Sequence, residues 1–223
     1  KNPVMFVVLI GTVVTLDESI AHPSVFPCLV TVCLALTVLA AGTVSFPILA
    51  QENWPQFRGP EARGVAESDL LPLAWGPGTN IAWRAVIPGR GWSSPVVWGN
   101  HIYITTTTSD GTVEAPKKGL YFGGERPEPS HDRHHWRVLC LEWETGRTLW
   151  NTEVMAAAPP TPRHVKNSYA SETPVTDGEH VYALFGAIGL FCLDPEGQIV
   201  WSHPFPPAKM AHGWGTAASP ILA

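Results

Sequence analysis

Two stretches of this chain repeat one another closely enough to limit what it can fold into. Residues 136–154 read WRVLCLEWETGRTLWNTEV, and residues 189–205 read GLFCLDPEGQIVWSHPF. Both run apolar strand, tight turn, strand, the second copy being one residue shorter at the turn. Gly146 precedes Trp150 by the same spacing as Gly197 precedes Trp201. The glycine allows a positive φ at the turn, and the tryptophan falls well inside the following strand. A large ring placed there in each repeat can pack between neighbouring sheets and bury a large apolar area each time.

A second set of repeats lies upstream of each of these. Residues 91–106 (GWSSPVVWGNHIYITT), 169–186 (YASETPVTDGEHVYALFG) and 215–223 (GTAASPILA) align on a run of small or hydroxyl residues, a proline and then apolar residues. In the first two, Gly99-Asn100 and Asp177-Gly178 lead into a second strand, HIYIT or HVYAL. A glycine-containing dipeptide between alternating apolar runs is a strong hairpin signal. The unit is therefore four antiparallel strands, complete from about Ser93 to Val154 and again from about Ser171 to Phe205. A third unit starts at Thr216. Asn80–Ile87 reads as a lone outermost strand with Trp83, its Gly78 standing five rather than four residues upstream. High counts of Trp (10), Pro (22) and Gly (20) agree with many short strands and turns, and helical periodicity is nearly absent after Ala50.

A four-stranded unit recurring at this length predicts an all-β propeller, here incomplete, with about two full blades and parts of two others. Propellers close with four to eight blades, so the expectation is a piece of a protein with several more. The repeats resemble the PQQ-like, quinoprotein-type propeller family. Its blades carry Ala-x-Asp-x-x-Thr-Gly-x-x-x-Trp. One copy here has Cys140, Glu142, Thr145, Gly146 and Trp150, and the other has Cys192, Asp194, Gly197 and Trp201. Cysteine stands for alanine in both, and the second lacks the threonine. NWPQFRGP from Asn53, with Gly64 beyond it, also resembles uncharacterised exported members. That family includes quinoprotein dehydrogenases and the BamB-type envelope-assembly scaffold.

The N-terminus reads differently. From Val25 to Ala50 no residue is charged, and the chain then turns abruptly polar at QENWPQFRGP. Residues 1–50 are read as a secretory signal peptide ending near Ala50, or as an N-terminal membrane anchor, because the run is long enough to span a bilayer. A second apolar stretch, Val4–Leu16, precedes it, and no Lys/Arg cluster stands immediately before the run. Either reading places the body, residues 51–223, outside the cytoplasm, in the periplasm or cell envelope. No lipobox-like pattern precedes Cys28 or Cys33. The body cysteines, Cys140 and Cys192, occupy matching repeat positions and are expected as free thiols rather than a disulfide.

A formal net charge of −5 with no long Lys/Arg run argues against a nucleic-acid surface. In a meander, the loops between the second and third strands and those between units emerge on one side. They hold Arg90, Trp92, His131, His134, His135, Arg163, His164, Lys166, Asn167, His212 and Trp214, whereas the other side has short plain turns. This long-loop face is the candidate site for a protein or polysaccharide partner. The run His131-Asp-Arg-His-His135 invites a metal reading, but no second cluster at fixed spacing completes one, and no metal is predicted. The resemblance also implies an alternative, a PQQ- and calcium-dependent dehydrogenase with its site in further blades. Adjacent cysteines typical of its alcohol-oxidising members are absent from the body. The expected function is a non-catalytic binding or scaffold module without a cofactor.

Overall fold

The computed structural model describes residues 28–32, 53–66, 72–112, 128–207, 210 and 212–222. Apart from a one-turn 3-10 segment at Pro60–Ala62, the regular structure in these residues is β. The strands are β1 (Cys28–Val32), β2 (Trp83–Ile87), β3 (Val96–Trp98), β4 (His101–Ser109), β5 (His134–Glu142), β6 (Thr148–Ala157), β7 (Val175–Thr176), β8 (Val181–Phe185), β9 (Gly189–Leu193) and β10 (Ile199–Pro204). They form two four-stranded antiparallel meanders, β3-β4-β5-β6 and β7-β8-β9-β10, and one antiparallel pair, β1-β2. Both complete repeats are thus single sheets over the expected residues.

The lone strand expected at Asn80–Ile87 has a partner. Trp83–Ile87 pairs with Cys28–Val32 from the uncharged N-terminal run, which satisfies backbone groups that a strand edge leaves open. The remainder of the segment read as a signal or anchor lies outside the described residues.

The two meanders match in register as well as topology. Tyr103 faces Cys140 and Cys140 faces Trp150 in the first; Tyr182 faces Cys192 and Cys192 faces Trp201 in the second. In each, the last strand slips by one residue beside that tryptophan, so that Leu149 and Val200 fall out of register. Such bulges bend a strand and increase its twist. A ladder of rings repeats too: His101, Tyr103 and Trp150 follow one another at 6.0 and 5.9 Å, and His180, Tyr182 and Trp201 at 6.1 and 6.1 Å.

Strand alternation divides the core into two layers on either side of the first meander. From β4 and β5, Tyr103, Trp136, Val138 and Cys140 face the second meander and meet Val181, Ala183, Phe185, Phe191 and Leu193. Ile102, Ile104, Leu139 and Leu141 face the opposite way, where Trp54, Ile87 and Trp143 cover them and Trp83 packs alongside. Val138 to Leu141 of β5 are buried on both faces and read as a continuous apolar run in sequence. Cys140 and Cys192 are both buried free thiols on different sheets.

Successive layers are joined by tryptophans resting on glycines. The Trp150 ring lies over Gly197, and its Nε1–H donates to the Pro195 carbonyl at 2.8 Å. Trp83 lies over Gly146 in the same manner and donates to the Trp143 carbonyl at 2.9 Å. The acceptor shifts by one residue relative to its glycine because the second turn is one residue shorter.

Two further connections run across the repeats. Ser94 N–H donates to Thr173 Oγ1 at 3.0 Å, and Thr173 N–H donates to Ser219 Oγ at 2.9 Å. Each of these residues precedes a proline, Pro95, Pro174 or Pro220, so the third sequence copy holds the place that its alignment implies. The segment Trp54-Pro55-Gln56 then touches all three units. Trp54 and Val97 exchange backbone bonds of 2.8 and 2.9 Å, Thr176 N–H donates to the Pro55 carbonyl at 2.9 Å, and Leu222 N–H donates to Gln56 Oε1 at 3.3 Å.

Candidate functional site

The connection from β6 to β7 carries an unusual density of buried polar groups: Ser168, Ser171, Glu172 and Thr173 are all buried. A buried polar group is costly unless hydrogen-bonded, and here a compact network binds them. Asn167 Oδ1 accepts from Ser168 N–H at 2.8 Å and from the Ser171 hydroxyl at 2.6 Å, and the Ser168 and Ser171 hydroxyls meet at 2.9 Å. The Glu172 carboxylate accepts from Ser171 N–H at 3.3 Å and Gly186 N–H at 3.2 Å.

Asn167 also reaches outward. Its Nδ2 group donates to the carbonyls of Trp214 (2.8 Å) and Thr216 (3.3 Å), and His164 N–H donates to the same Trp214 carbonyl at 3.2 Å. One side chain therefore fixes the connection after β10 to the connection after β6. The Trp214 ring sits between two imidazoles, edge-on to His164 at 5.9 Å and tilted against His212 at 4.9 Å. Nearly half of Trp214 remains exposed.

Arg163 continues this surface. Its guanidinium donates to the carbonyls of His164 (3.2 Å) and Asn167 (2.9 Å) and lies 5.3 Å from the centre of the Tyr169 ring, a cation–π arrangement. Tyr169 is largely buried; its hydroxyl donates to the Thr161 carbonyl, and its own carbonyl accepts from Trp136 Nε1. Burial raises its pKa, partly offset by the charge of Arg163. The neighbouring Ala170 carbonyl accepts from Trp92 N–H at 2.9 Å, which brings exposed Trp92 to the same region. Arg90 precedes it, bridged through its backbone to Thr107.

The sequence-selected residues separate into distinct roles. Arg163, His164, Asn167, His212 and Trp214 come together, with Trp92 tied to them through Ala170. Lys166 is exposed beside them, its N–H donating to His164 Nδ1. His134 is buried rather than displayed, its ring edge-on to Tyr169 at 5.1 Å. Its Nδ1 lies 2.9 Å from the Asp132 carbonyl, which can only accept, so Nδ1 carries the proton of the neutral ring. Burial lowers its pKa, the hydrogen bond to the Asp132 carbonyl opposes this, and the charge of Arg163 adds to the lowering. His135 alternates to the other side of β5, where its ring nitrogens meet Asp110 Oδ1 and Glu153 Oε2, both at 3.0 Å. Glu153 also accepts from Arg137 at 2.6 Å. Strand alternation thus keeps His134 and His135 from converging on one ion, while His131 is exposed ahead of β5. Much of the long insert, residues 113–127, lies outside the described residues.

Sequence reading missed Tyr169, Ser168, Ser171 and Glu172 as supports of this surface. Their signal is present in SYASETP, residues 168–174, a hydroxyl-rich run flanking a strand, of which YASETP serves in the sequence only as a repeat marker. No protein-family model matches the chain, and no curated protein matches its sequence.

Proposed function

We propose that this chain forms blades of an exported PQQ-like β-propeller that serves as a non-catalytic binding scaffold, taking a protein partner on the surface around Trp92 and Trp214. Shared register, shared bulges and the repeated tryptophan-on-glycine contact support the propeller reading. The composition of the uncharged run ahead of Ala50 supports export, while the pairing of Cys28–Val32 with β2 speaks against cleavage near Ala50.

The observation that carries the functional reading is the Asn167 network. It holds Trp214 beside His164 and His212 while leaving its ring exposed. Tryptophan and arginine dominate the energetic centres of protein interfaces, and a preorganised ring loses little entropy on binding. These groups offer apolar face, imidazole and positive charge.

The test compares the wild-type chain with Trp92→Ala, Trp214→Ala and the double variant. A photocrosslinking residue at position 212 identifies the partner in envelope extract, and binding of the purified partner is then measured. Each single variant is expected to weaken binding by roughly tenfold or more without shifting the melting temperature. Unchanged affinity in the double variant overturns the reading. Retention of a polysaccharide on an array, lost in the same variants, replaces the protein partner with a glycan.

A further inference from the structure

The two ends of the sheets differ in charge. In these meanders the turns β3–β4, β5–β6, β7–β8 and β9–β10 emerge at one end, and the connections before β3, between β6 and β7 and after β10 emerge at the other. The short turns and the strand ends beside them hold Glu142, Glu144, Asp177, Glu179, Asp194 and Glu196. The long connections hold Arg90, Arg163, His164, Lys166 and His212, yet residues 70–109, 154–171 and 197–223 contain no Asp or Glu. Glu172, within the β6–β7 connection, is buried and accepts from Ser171 and Gly186 N–H. Among its described residues, the insert between β4 and β5 adds Asp110, Glu128 and Asp132 as well as His131 and Arg133, and His135 holds Asp110. The nine residues of β5 separate the two ends by roughly 25–30 Å, beyond the reach of charges screened at physiological salt. A chain with a net charge of −5 therefore keeps a cationic patch at one end.

Hydrogen bonding points the same way. The backbone acceptors of this surface are engaged from within: the carbonyls of His164 and Asn167 by Arg163, those of Trp214 and Thr216 by Asn167, and that of Ala170 by Trp92 N–H. His164 Nδ1 accepts from Lys166 N–H at 3.1 Å, so the proton of the neutral ring sits on Nε2. Guanidinium, ammonium, this Nε2–H and the indole N–H groups of Trp92 and Trp214 all donate and cannot accept. The pieces also adjoin one another: a Cβ at Gly215 would come within 3.3 Å of Arg163 Cβ, so the connection bearing Trp214 lies against the one bearing Arg163.

We propose that the partner of this surface is an acidic polypeptide segment, whose Asp or Glu carboxylates meet the cationic and N–H groups around Lys166 and His212 while its apolar side chains cover Trp92 and Trp214. The inference rests on the protein-scaffold reading and adds the chemistry of the partner. Carboxylates are acceptors only, the complement of a surface of donors, and charge-assisted bonds to them are stronger than neutral ones. The separation of charge also orients the approach, since an acidic segment is drawn to the long-loop end and repelled by the short turns.

The experiment titrates the full chain into a dye-labelled synthetic peptide that alternates Glu with Ala around a central Phe, followed by fluorescence anisotropy. Counterparts with Gln or Lys in place of Glu are run beside it, each at low and at physiological salt. The Glu peptide is expected to bind roughly tenfold or more tightly than the Gln peptide, with the Lys peptide weakest and the differences shrinking as salt rises. Lys166→Glu and His212→Glu, both at exposed positions, should each weaken the Glu peptide by roughly tenfold without moving the melting temperature. Glu144→Lys, at the opposite end, should leave it unchanged. Equal binding of the Glu and Gln peptides overturns the proposal, as does indifference to both Lys166→Glu and His212→Glu. Retention of polygalacturonate but not of the Glu peptide, lost in the same variants, assigns the patch to an acidic glycan and overturns the stated occupant. Low-salt self-association seen by sedimentation and abolished by Glu144→Lys assigns it to the acidic end of a second copy, with the same consequence. The partner captured by crosslinking is measured on the same proteins. Loss of that partner in the Trp92→Ala, Trp214→Ala double variant, with no response to salt or to Lys166→Glu, rejects the acidic chemistry alone. Charge-dependent binding of the Glu peptide that survives the double variant rejects the tryptophan-centred surface alone.

Discussion

The Trp150 indole lies directly on Gly197, where a Cβ would come within 2.5 Å of its ring. Two positions in different sheets are thereby coupled: the tryptophan needs a neighbour without a side chain, and the glycine's φ of 85° already disfavours one. Gly197→Val is expected to lower stability by about 2–4 kcal/mol, combining the left-handed backbone penalty with displacement of the ring. Urea unfolding of the full chain measures it. A loss under about 0.5 kcal/mol would show that the ring moves aside at little cost.

Trp136 is fully buried between the meanders and donates to the Tyr169 carbonyl at 3.1 Å. Trp136→Ala should cost about 3–5 kcal/mol through the cavity it leaves. Trp136→Phe retains much of the ring but removes the N–H, so a smaller loss of about 1–3 kcal/mol is expected from the unpaired carbonyl. Equal losses for the two variants in denaturant titrations would contradict that division.

His134 links stability to pH. Its folded pKa lies below the ordinary 6.5 because burial disfavours the charged ring. The unfolded chain therefore takes up the proton first as pH falls. The stability contribution is complete above pH 6.5 and is lost as pH drops from there through the depressed folded value. His134→Phe should flatten this part of the stability curve, measured by denaturant unfolding at a series of pH values. A wild-type slope that persists in the variant would assign it to other groups.

Asn167 joins two connections through its amide. Asn167→Asp keeps the acceptor toward Ser171 but replaces the Nδ2 donors to Trp214 and Thr216 with an oxygen. Amide exchange over residues 212–216 should accelerate by roughly tenfold or more, with less effect in β5. Partner affinity should fall alongside, since an ordered ring becomes one that must be ordered on binding. Unchanged exchange at these residues would remove Asn167 from its positioning role.

Burial pushes the Cys140 thiol up to about 12 and also raises Cys192. The reactive thiolate is scarce near neutral pH, so alkylation of Cys140 should follow unfolding rather than reagent concentration. Mass-spectrometric labelling across a denaturant series distinguishes the two regimes. Rapid native-state labelling of Cys140 would place it at a surface.

The strands were legible because Tyr103, Cys140 and Trp150 recur as Tyr182, Cys192 and Trp201 at nearly constant spacing. Gly146 and Gly197 mark their turns without ambiguity. The candidate surface was legible only in its exposed members. Arg163, His164 and Trp214 stand out by residue type, whereas Ser168, Ser171 and Glu172 look like ordinary polar linker residues until the linker is folded inward. His134 and His135 were read together because they are adjacent in sequence, yet a strand sends neighbours to opposite faces. The pairing of β2 with β1 was not visible, because the uncharged run containing Cys28–Val32 satisfies the composition of a targeting segment as well as that of a strand.

Repeat arrays ordinarily behave as one-dimensional chains in which each unit senses only its immediate neighbours and can fray from either end. The short peptide Trp54-Pro55-Gln56 breaks that rule, because it bonds to the first, second and third units, the last through a contact 166 residues away in sequence. Opening of the segment at Leu222 must release the same strap that secures the two four-stranded sheets. Damage to these three residues is consequently felt at all three places, which are expected to loosen together instead of singly.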